Sequence, residues 1–142
     1  MTSYFEKKKI PFKTRKLDTG DYSAMLGDLT LERDVGIERK HNLDEICGNF
    51  TVERERFERE MLRAKAYGTK LFLIIENATW KDVFLGNYRS KLDPKSLAAS
   101  LMSWQAKFNL TVIFCEPENT GKLIHGILFY YAREMLVHGT GR

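Results

Sequence analysis

The sequence predicts an α/β fold, a mixed central sheet flanked by helices, and three observations carry that expectation. Two continuous apolar runs, Leu-Phe-Leu-Ile-Ile at 71–75 and Leu-Thr-Val-Ile-Phe-Cys at 110–115, have the length and composition of strands buried on both faces. Each follows a segment of helical periodicity, so helix and strand alternate through the second half of the chain. Nearer the start, Gly27-Asp28 stands between two strand-like stretches, a dipeptide that favours a hairpin turn. Right-handed crossovers would then place helices on both faces of the sheet.

The elements follow in order. Residues 3–9 suit a short helix and 10–17 an extended stretch leading into Gly20-Asp21. Residues 22–26 form one arm of the hairpin, and 29–31 with 35–38 continue as the return strand. Asp44 opens a short helix that runs to about Gly48. From 53 to 67 the chain is a charged helix with Phe57, Met61 and Ala64 at helical spacing, stopped by Gly68. After the strand at 71–75 comes a loop rich in aromatics, Trp80, Phe84 and Tyr88, read as completing the core or covering a sheet edge. Asp93-Pro94 supplies an N-cap and a first-turn proline for a helix over 95–108 that presents Leu97, Leu101, Trp104 and Phe108 on one face. The strand at 110–115 precedes a last helix over 120–137, with Leu123, Ile127 and Tyr131 in register.

The 142 residues suit one domain spanning 1–142, large enough to bury a real core. Hydrophobic residues make up 43% and charged residues 30%, the balance of a globular rather than a disordered chain. No apolar run approaches the roughly 20 residues of a membrane span, and the charged N-terminus has no signal-peptide character. A cytoplasmic location without membrane association is therefore expected. Cys47 and Cys115 make no disulfide framework, and His41, His125 and His138 have no zinc-ligand spacing. The net charge of +4 is concentrated: residues 1–17 carry Lys7, Lys8, Lys9, Lys13, Arg15 and Lys16 against Glu6, and the remainder is close to neutral. Such a segment suits a polyanion such as DNA, with an affinity that falls steeply with salt, or forms a solvated arm.

Chemistry concentrates at Val35-Gly-Ile-Glu-Arg-Lys-His-Asn-Leu-Asp44. Glu38 and Lys40 are two apart on a strand and share a face. Burying a carboxylate and an amine together is expensive without a purpose. Asp21, ending the preceding extended segment, would join them if the two segments are adjacent. Two carboxylates and a lysine around one point make a workable hydrolytic site: the acids suit Mg²⁺, and the lysine suits orienting a water.

These residues carry a resemblance. Gly20-Asp21, then Glu38-Arg39-Lys40, three residues, and Asp44 resembles the Gly-Asp…Glu-Arg-Lys-x-x-x-Asp signature of the XPF/ERCC4-type nuclease domain, a branch of the restriction-endonuclease-like superfamily. Leu17 to Tyr22, Ile37 before Glu38, Arg56 and Glu60 on the next helix, and the strand at 71–76 are also similar to the family pattern. The resemblance implies a restriction-endonuclease-like sheet in which Asp21 and Glu38 bind Mg²⁺, with Mn²⁺ able to substitute, helped by the Arg39 carbonyl. Lys40 would orient the attacking water, and Arg39 would position a phosphate or the acids. Asp44 would bond Arg39 or act as an outer acid. Arg56 is either a DNA contact or part of an ion-pair lattice with Glu53 and Glu60. Glu76, ending an apolar strand, either faces the same site or, as the preferred reading, is a solvated strand end, and Asp28 and Glu32 are read as structural.

The family's usual first strand, with its Asp-x-Arg-Glu motif, has no counterpart in these residues. Nor does a helix-hairpin-helix module follow, so the pattern is similar to minimal bacterial or phage forms. The implied activity is metal-dependent hydrolysis of branched, flapped or forked DNA. The alternatives are a junction resolvase or restriction-like nuclease, a non-catalytic DNA-binding subunit, and an interaction protein using its aromatic loop. Retention of both acids and the lysine favours the enzyme. Consecutive Phe129, Tyr130 and Tyr131 on the last helix suggest a homodimer.

Overall fold

The computed structural model describes residues 2–8 and 20–138. Lys9, Lys13, Arg15 and Lys16, and the expected extended stretch at 10–17, lie outside the described residues. In chain order the elements are α1 (Thr2–Lys7), β1 (Met25–Leu26), β2 (Leu29–Thr30), β3 (Val35–Lys40), α2 (Leu43–Phe50), α3 (Arg54–Tyr67), β4 (Lys70–Glu76), α4 (Trp80–Leu85), α5 (Pro94–Lys107), β5 (Leu110–Cys115) and α6 (Pro117–His138). The α/β class is as expected.

The main sheet has the order β3-β4-β5, and both pairings are parallel. Among the described residues its antiparallel component is one bridge, Tyr22 to Ile37. The hairpin forms at Gly27-Asp28, but as a separate two-stranded sheet of β1 and β2. The expected return strand is therefore split: β2 stops at Thr30, and β3 begins afresh at Val35 in the other sheet.

Two apolar layers sandwich the sheet. Leu71, Leu73 and Ile75 pack against α2, α3 and α5, which contribute Ile46, Phe50, Phe57, Met61, Leu97, Leu101 and Trp104. Ile37 and Ile74 face the other way, with Phe5 of α1 and Ile124 of α6. Helices thus cover both faces, but α2, α3 and α5 share one, and the second is closed by α1 and α6. The close fit of α1 on α6 needs Gly121, since a Cβ there would lie 2.5 Å from the ring of Tyr4.

Three elements differ from expectation for local reasons. Residues 80–85 are a helix, because Thr79 and Asp82 form a reciprocal capping box. The helix expected to open at Asp44 starts one residue earlier, capped by the Asn42 side chain on the Glu45 N–H. β5 is the edge of the sheet, so only Leu110 of its six residues is fully buried. The Val112 N–H on this strand is taken by the Gln105 side chain at 3.1 Å. Both cysteines are free thiols, Cys47 buried and Cys115 half-buried.

Candidate active site

The site forms where the chain before the hairpin meets the end of β3. Gly20 has φ 78°, and a Cβ there would approach the Ile37 carbonyl oxygen to 3.2 Å, so the position needs glycine on both counts. The turn delivers Asp21 against the outer edge of β3. The Asp21 and Tyr22 N–H groups both donate to the Ile37 carbonyl (2.7 and 3.1 Å), and the Ile37 N–H donates to Tyr22 O at 2.9 Å. One step further along β3, the Arg39 N–H donates to Asp21 Oδ2 at 2.8 Å. A strand residue's N–H and C=O point the same way. The Arg39 carbonyl therefore faces the edge that carries Asp21.

Alternation along β3 divides its three charged residues between the faces. Glu38 and Lys40 turn toward α3, with Nζ of Lys40 3.7 Å from Glu38 Oε2 and 4.0 Å from Glu45 Oε1. The ammonium also lies 5.7 Å from the centre of the Phe57 ring. That ring is held by stacking on Trp104 at 5.2 Å, with Phe50 edge-on to Trp104 at 4.8 Å. The result is a polar cavity of about 250 Å³ lined by Gly20, Asp21, Glu38, Lys40, Asn49, Arg56, Phe57 and Glu60. Burial first, and then the Asp21 charge, push the Glu38 carboxyl up to about 7, with Lys40 pulling the other way.

Arg39 turns to the opposite face and is committed there. Its Nε and a terminal nitrogen bond Glu76 Oε2 and Oε1 at 3.1 and 3.2 Å. Glu76 also receives the Thr120 hydroxyl and meets His41 Nδ1 at 3.2 Å. Glu76 is 1% exposed, so the expectation of a solvated strand end is corrected. Burial opposes its ionisation, but bonds from Thr120, Arg39 and His41 hold its carboxyl below the usual range. Hydrogen bonds to Glu76 and Tyr22 raise the Arg39 guanidinium in turn, against its own desolvation.

Asp44 stands apart from this cluster. Its Oδ1 accepts the N–H groups of Arg89 and Ser90 at 2.8 and 2.7 Å, tying the loop after α4 to the start of α2. The expected bond to Arg39 is absent, because Glu76 occupies that guanidinium. Arg56 pairs with Glu53 across one helical turn, one of the ion pairs expected of it, and it borders the cavity beside Glu60. Lys7 and Lys8, at the end of α1, are exposed; Phe5 of the same helix packs on the sheet face opposite the cavity.

Among the described residues no group of three or more His, Cys, Asp or Glu side chains is arranged to hold a metal. Of the three carboxylates that line the cavity, Asp21 and Glu38 belong to the β3 edge that the Arg39 carbonyl faces, and Glu60 belongs to α3. That fits Mg²⁺, which binds through one or two carboxylates and keeps several waters. The Asp21 charge, which adds to burial in raising Glu38, is what a cation held between the two carboxylates would offset.

Sequence reasoning missed Asn49 and left Thr120, His41 and Phe57 without a role at the site. For Asn49 the signal is local: it is a polar residue flanking the buried stripe Leu43, Ile46, Cys47 and Phe50 of α2. For Thr120 no short-range signal exists, since its partner lies 44 residues earlier.

The family model of the ERCC4 domain matches residues 1–127. No curated protein matches the sequence. The chain belongs to the ERCC4 domain family, whose members are generally divalent-metal-dependent nucleases acting on DNA.

Proposed function

We propose that this member of the ERCC4 domain family is a Mg²⁺-dependent endonuclease, with Mn²⁺ able to substitute, that hydrolyses phosphodiester bonds in branched, flapped or forked DNA. The observation that carries the reading is the convergence of Asp21, Glu38 and Lys40 in one polar cavity. When bound, the metal supplies Lewis-acid polarisation of a phosphate oxygen and lowers the pKa of water. Asp21 and Glu38 hold it, with the Arg39 carbonyl as a third oxygen. Lys40, pinned between Glu38, Glu45 and the Phe57 ring, orients the attacking water and offsets charge on the phosphate. The water oxygen bonds to phosphorus as the P–O bond to the leaving strand breaks. The leaving oxygen keeps that electron pair and takes up a proton from solvent, and the water's proton passes to solvent.

Arg39, committed to Glu76, acts on the site through its main chain: its N–H fixes Asp21. Lys7, Lys8 and Arg56 contact the DNA backbone, and a second copy of the chain docks through α6.

The test is cleavage of labelled fork, 3′-flap, four-way-junction and linear duplex DNA with Mg²⁺, comparing wild type with Lys40→Ala and Asp21→Asn. Cutting of branched substrates, with rates at least a hundredfold lower in both variants, supports the reading. Binding without cutting in all three proteins overturns it in favour of a non-catalytic DNA-binding subunit.

A further inference from the structure

Asp44 closes the Glu-Arg-Lys-x-x-x-Asp pattern, yet the hydrolytic chemistry leaves it without a part. What it holds is the loop between α4 and α5. A carboxylate beside an arginine ordinarily meets the guanidinium, as Glu76 does with Arg39. Asp44 instead accepts the main-chain N–H groups of Arg89 and Ser90, at 2.8 and 2.7 Å. The loop is fastened at further points. The Asn87 amide donates to Asp82 Oδ1 at 3.0 Å, and the Tyr88 N–H donates to the Gly86 carbonyl at 2.8 Å. The Tyr88 hydroxyl donates to the Leu92 carbonyl, and the Leu92 N–H to the Ser90 hydroxyl at 3.2 Å.

Exposure alternates along the loop so held. Tyr88, Ser90 and Leu92 are half-buried, and Tyr88 and Leu92 pack on the apolar layer of α2, α3 and α5. Arg89 and Lys91 stand between them and are exposed. Among the described residues neither side chain has a hydrogen bond or an ion pair. Residues 86–92 contain these two cations and no acid. The flanking acids, Asp82 and Asp93, cap α4 and α5. Because the backbone beneath the two cations is already fixed, little ordering remains when an anion binds them. The polar cavity lies on the same layer, walled by Phe57. α2 joins the two: Asp44 in its first turn holds the loop, and Asn49 in its last turn lines the cavity. Five residues of helix span about 7.5 Å. Phosphates of one strand succeed each other at about 3.4 Å along a duplex axis, so that span is about two nucleotides.

We propose that loop 86–92 is a DNA-backbone contact beside the cavity, in which Arg89 and Lys91 each engage a phosphate and Asp44 is the positioning residue that fixes the loop, an assignment that rests on the nuclease reading above. The planar Arg89 guanidinium suits two oxygens of one phosphate, and the Lys91 ammonium suits a single point contact. Such a contact reads no bases; it sets the register of the strand across the cavity.

The experiment is fluorescence anisotropy of labelled fork DNA without added metal, with salt varied from about 50 to about 200 mM. Arg89→Ala combined with Lys91→Ala should bind at least fivefold more weakly at the lowest salt and reduce the slope of log K against log salt by about 2. Its unfolding midpoint in urea should match wild type, because neither side chain is bonded within the described residues. Lys65→Ala removes an exposed cation from the last turn of α3, at the end of the sheet where β4 begins, and should leave the slope unchanged. Asp44→Ala should weaken binding although both cations remain, and Asp44→Asn, which keeps an acceptor oxygen for the two N–H groups, should recover it. The arginine and lysine variants carry the comparison if Asp44→Ala does not fold. A wild-type slope in the double variant overturns the assignment and leaves the nuclease reading standing. An equal loss of slope in Lys65→Ala also overturns it, by making the effect one of net charge. The positioning role of Asp44 is overturned if Asp44→Ala binds as wild type does, or if Asp44→Asn fails to recover its loss. Wild type that binds no fork DNA overturns the nuclease reading and this assignment together.

Discussion

At the scale of single residues, Glu38 couples folding to pH in a direction opposite to most carboxylates. Burial and the Asp21 charge raise its folded pKa from 4.5 to about 7, so the folded protein holds this proton more tightly than the unfolded chain does. The contribution is fully present below 4.5 and is lost as pH rises through 7. Metal-free protein should therefore lose stability between pH 5 and pH 8, on the order of 3 kcal/mol from this group. Urea titrations across that window measure it. Glu38→Gln should flatten the slope and be more stable than wild type at pH 8, while cleaving no DNA. Mg²⁺ should raise the wild-type midpoint more at pH 8 than at pH 6, since a carboxylate ligand must first lose its proton. Gly20 sets a second residue-scale test. Gly20→Ala forces a left-handed residue and a Cβ against the Ile37 backbone, with an expected loss of about 1–2 kcal/mol. Because the same turn carries Asp21, Mg²⁺ affinity by calorimetry should fall as well.

At the scale of elements, the question is what joins the strand end to the helices around it. Glu76 at the end of β4 holds Arg39 of β3, His41 just beyond it, and Thr120 of α6. Removing one partner of a buried pair leaves the other charge uncompensated, at about 3–5 kcal/mol. Glu76→Ala should therefore cost that much by urea unfolding, and it should weaken Mg²⁺ binding through the Arg39 N–H that fixes Asp21. Thr79→Ala, which opens the capping box of α4 away from the cavity, should cost about 1 kcal/mol and leave cleavage unchanged.

The same elements show what a sequence discloses. β4 and β5 were legible because continuous apolar runs have few other uses, and α5 because Asp93-Pro94 punctuates its start. The pair Glu38 and Lys40 was legible because a period of two puts them on one face. α4 is the least legible helix, because its aromatics follow a loop pattern and its start is marked only by the reciprocal Thr79 and Asp82 caps. The burial of Glu76 is not legible from its place at a strand end, because exposure there depends on what covers it, here a helix that begins some forty residues later. Asp44 looked like part of the site from its spacing, but backbone donors of the loop after α4 claim it. Spacing fixes which face a residue occupies; it does not fix which distant partner reaches it first.

For the whole molecule, the two ends of the proposed DNA footprint lie on different layers. The cavity opens beside α3, while α1 packs through Phe5 on the other face of the sheet and carries Lys7 and Lys8 at its exposed end. If both regions touch phosphates, Lys7→Glu with Lys8→Glu should weaken DNA binding and reduce the slope of log K against log salt by up to about 2. The single-turnover rate at saturating protein should not change, because neither lysine lines the cavity.

The α6 surface sets the last test. Phe129, Tyr130, Leu136 and Val137 are 53%, 61%, 71% and 63% exposed along one helix, more apolar surface than scattered exposure accounts for. Tyr130 also borders an apolar groove of about 870 Å³, shared with Phe114 at the sheet edge and Leu123 and Ile127 of α6. A helix that buries Ile124 against the sheet and leaves aromatics on its outer side has two apolar faces, and the described residues cover only one of them. A second copy of α6 laid against the first would cover the other in both molecules at once, as a two-fold interface does. Sedimentation at micromolar protein should give twice the chain's 16.5 kDa. Tyr130→Glu, which places a charge at the centre of that face, should return the monomer with an unchanged unfolding midpoint at low concentration. A wild-type monomer at every concentration, unaffected by the substitution, would leave the face to some other partner.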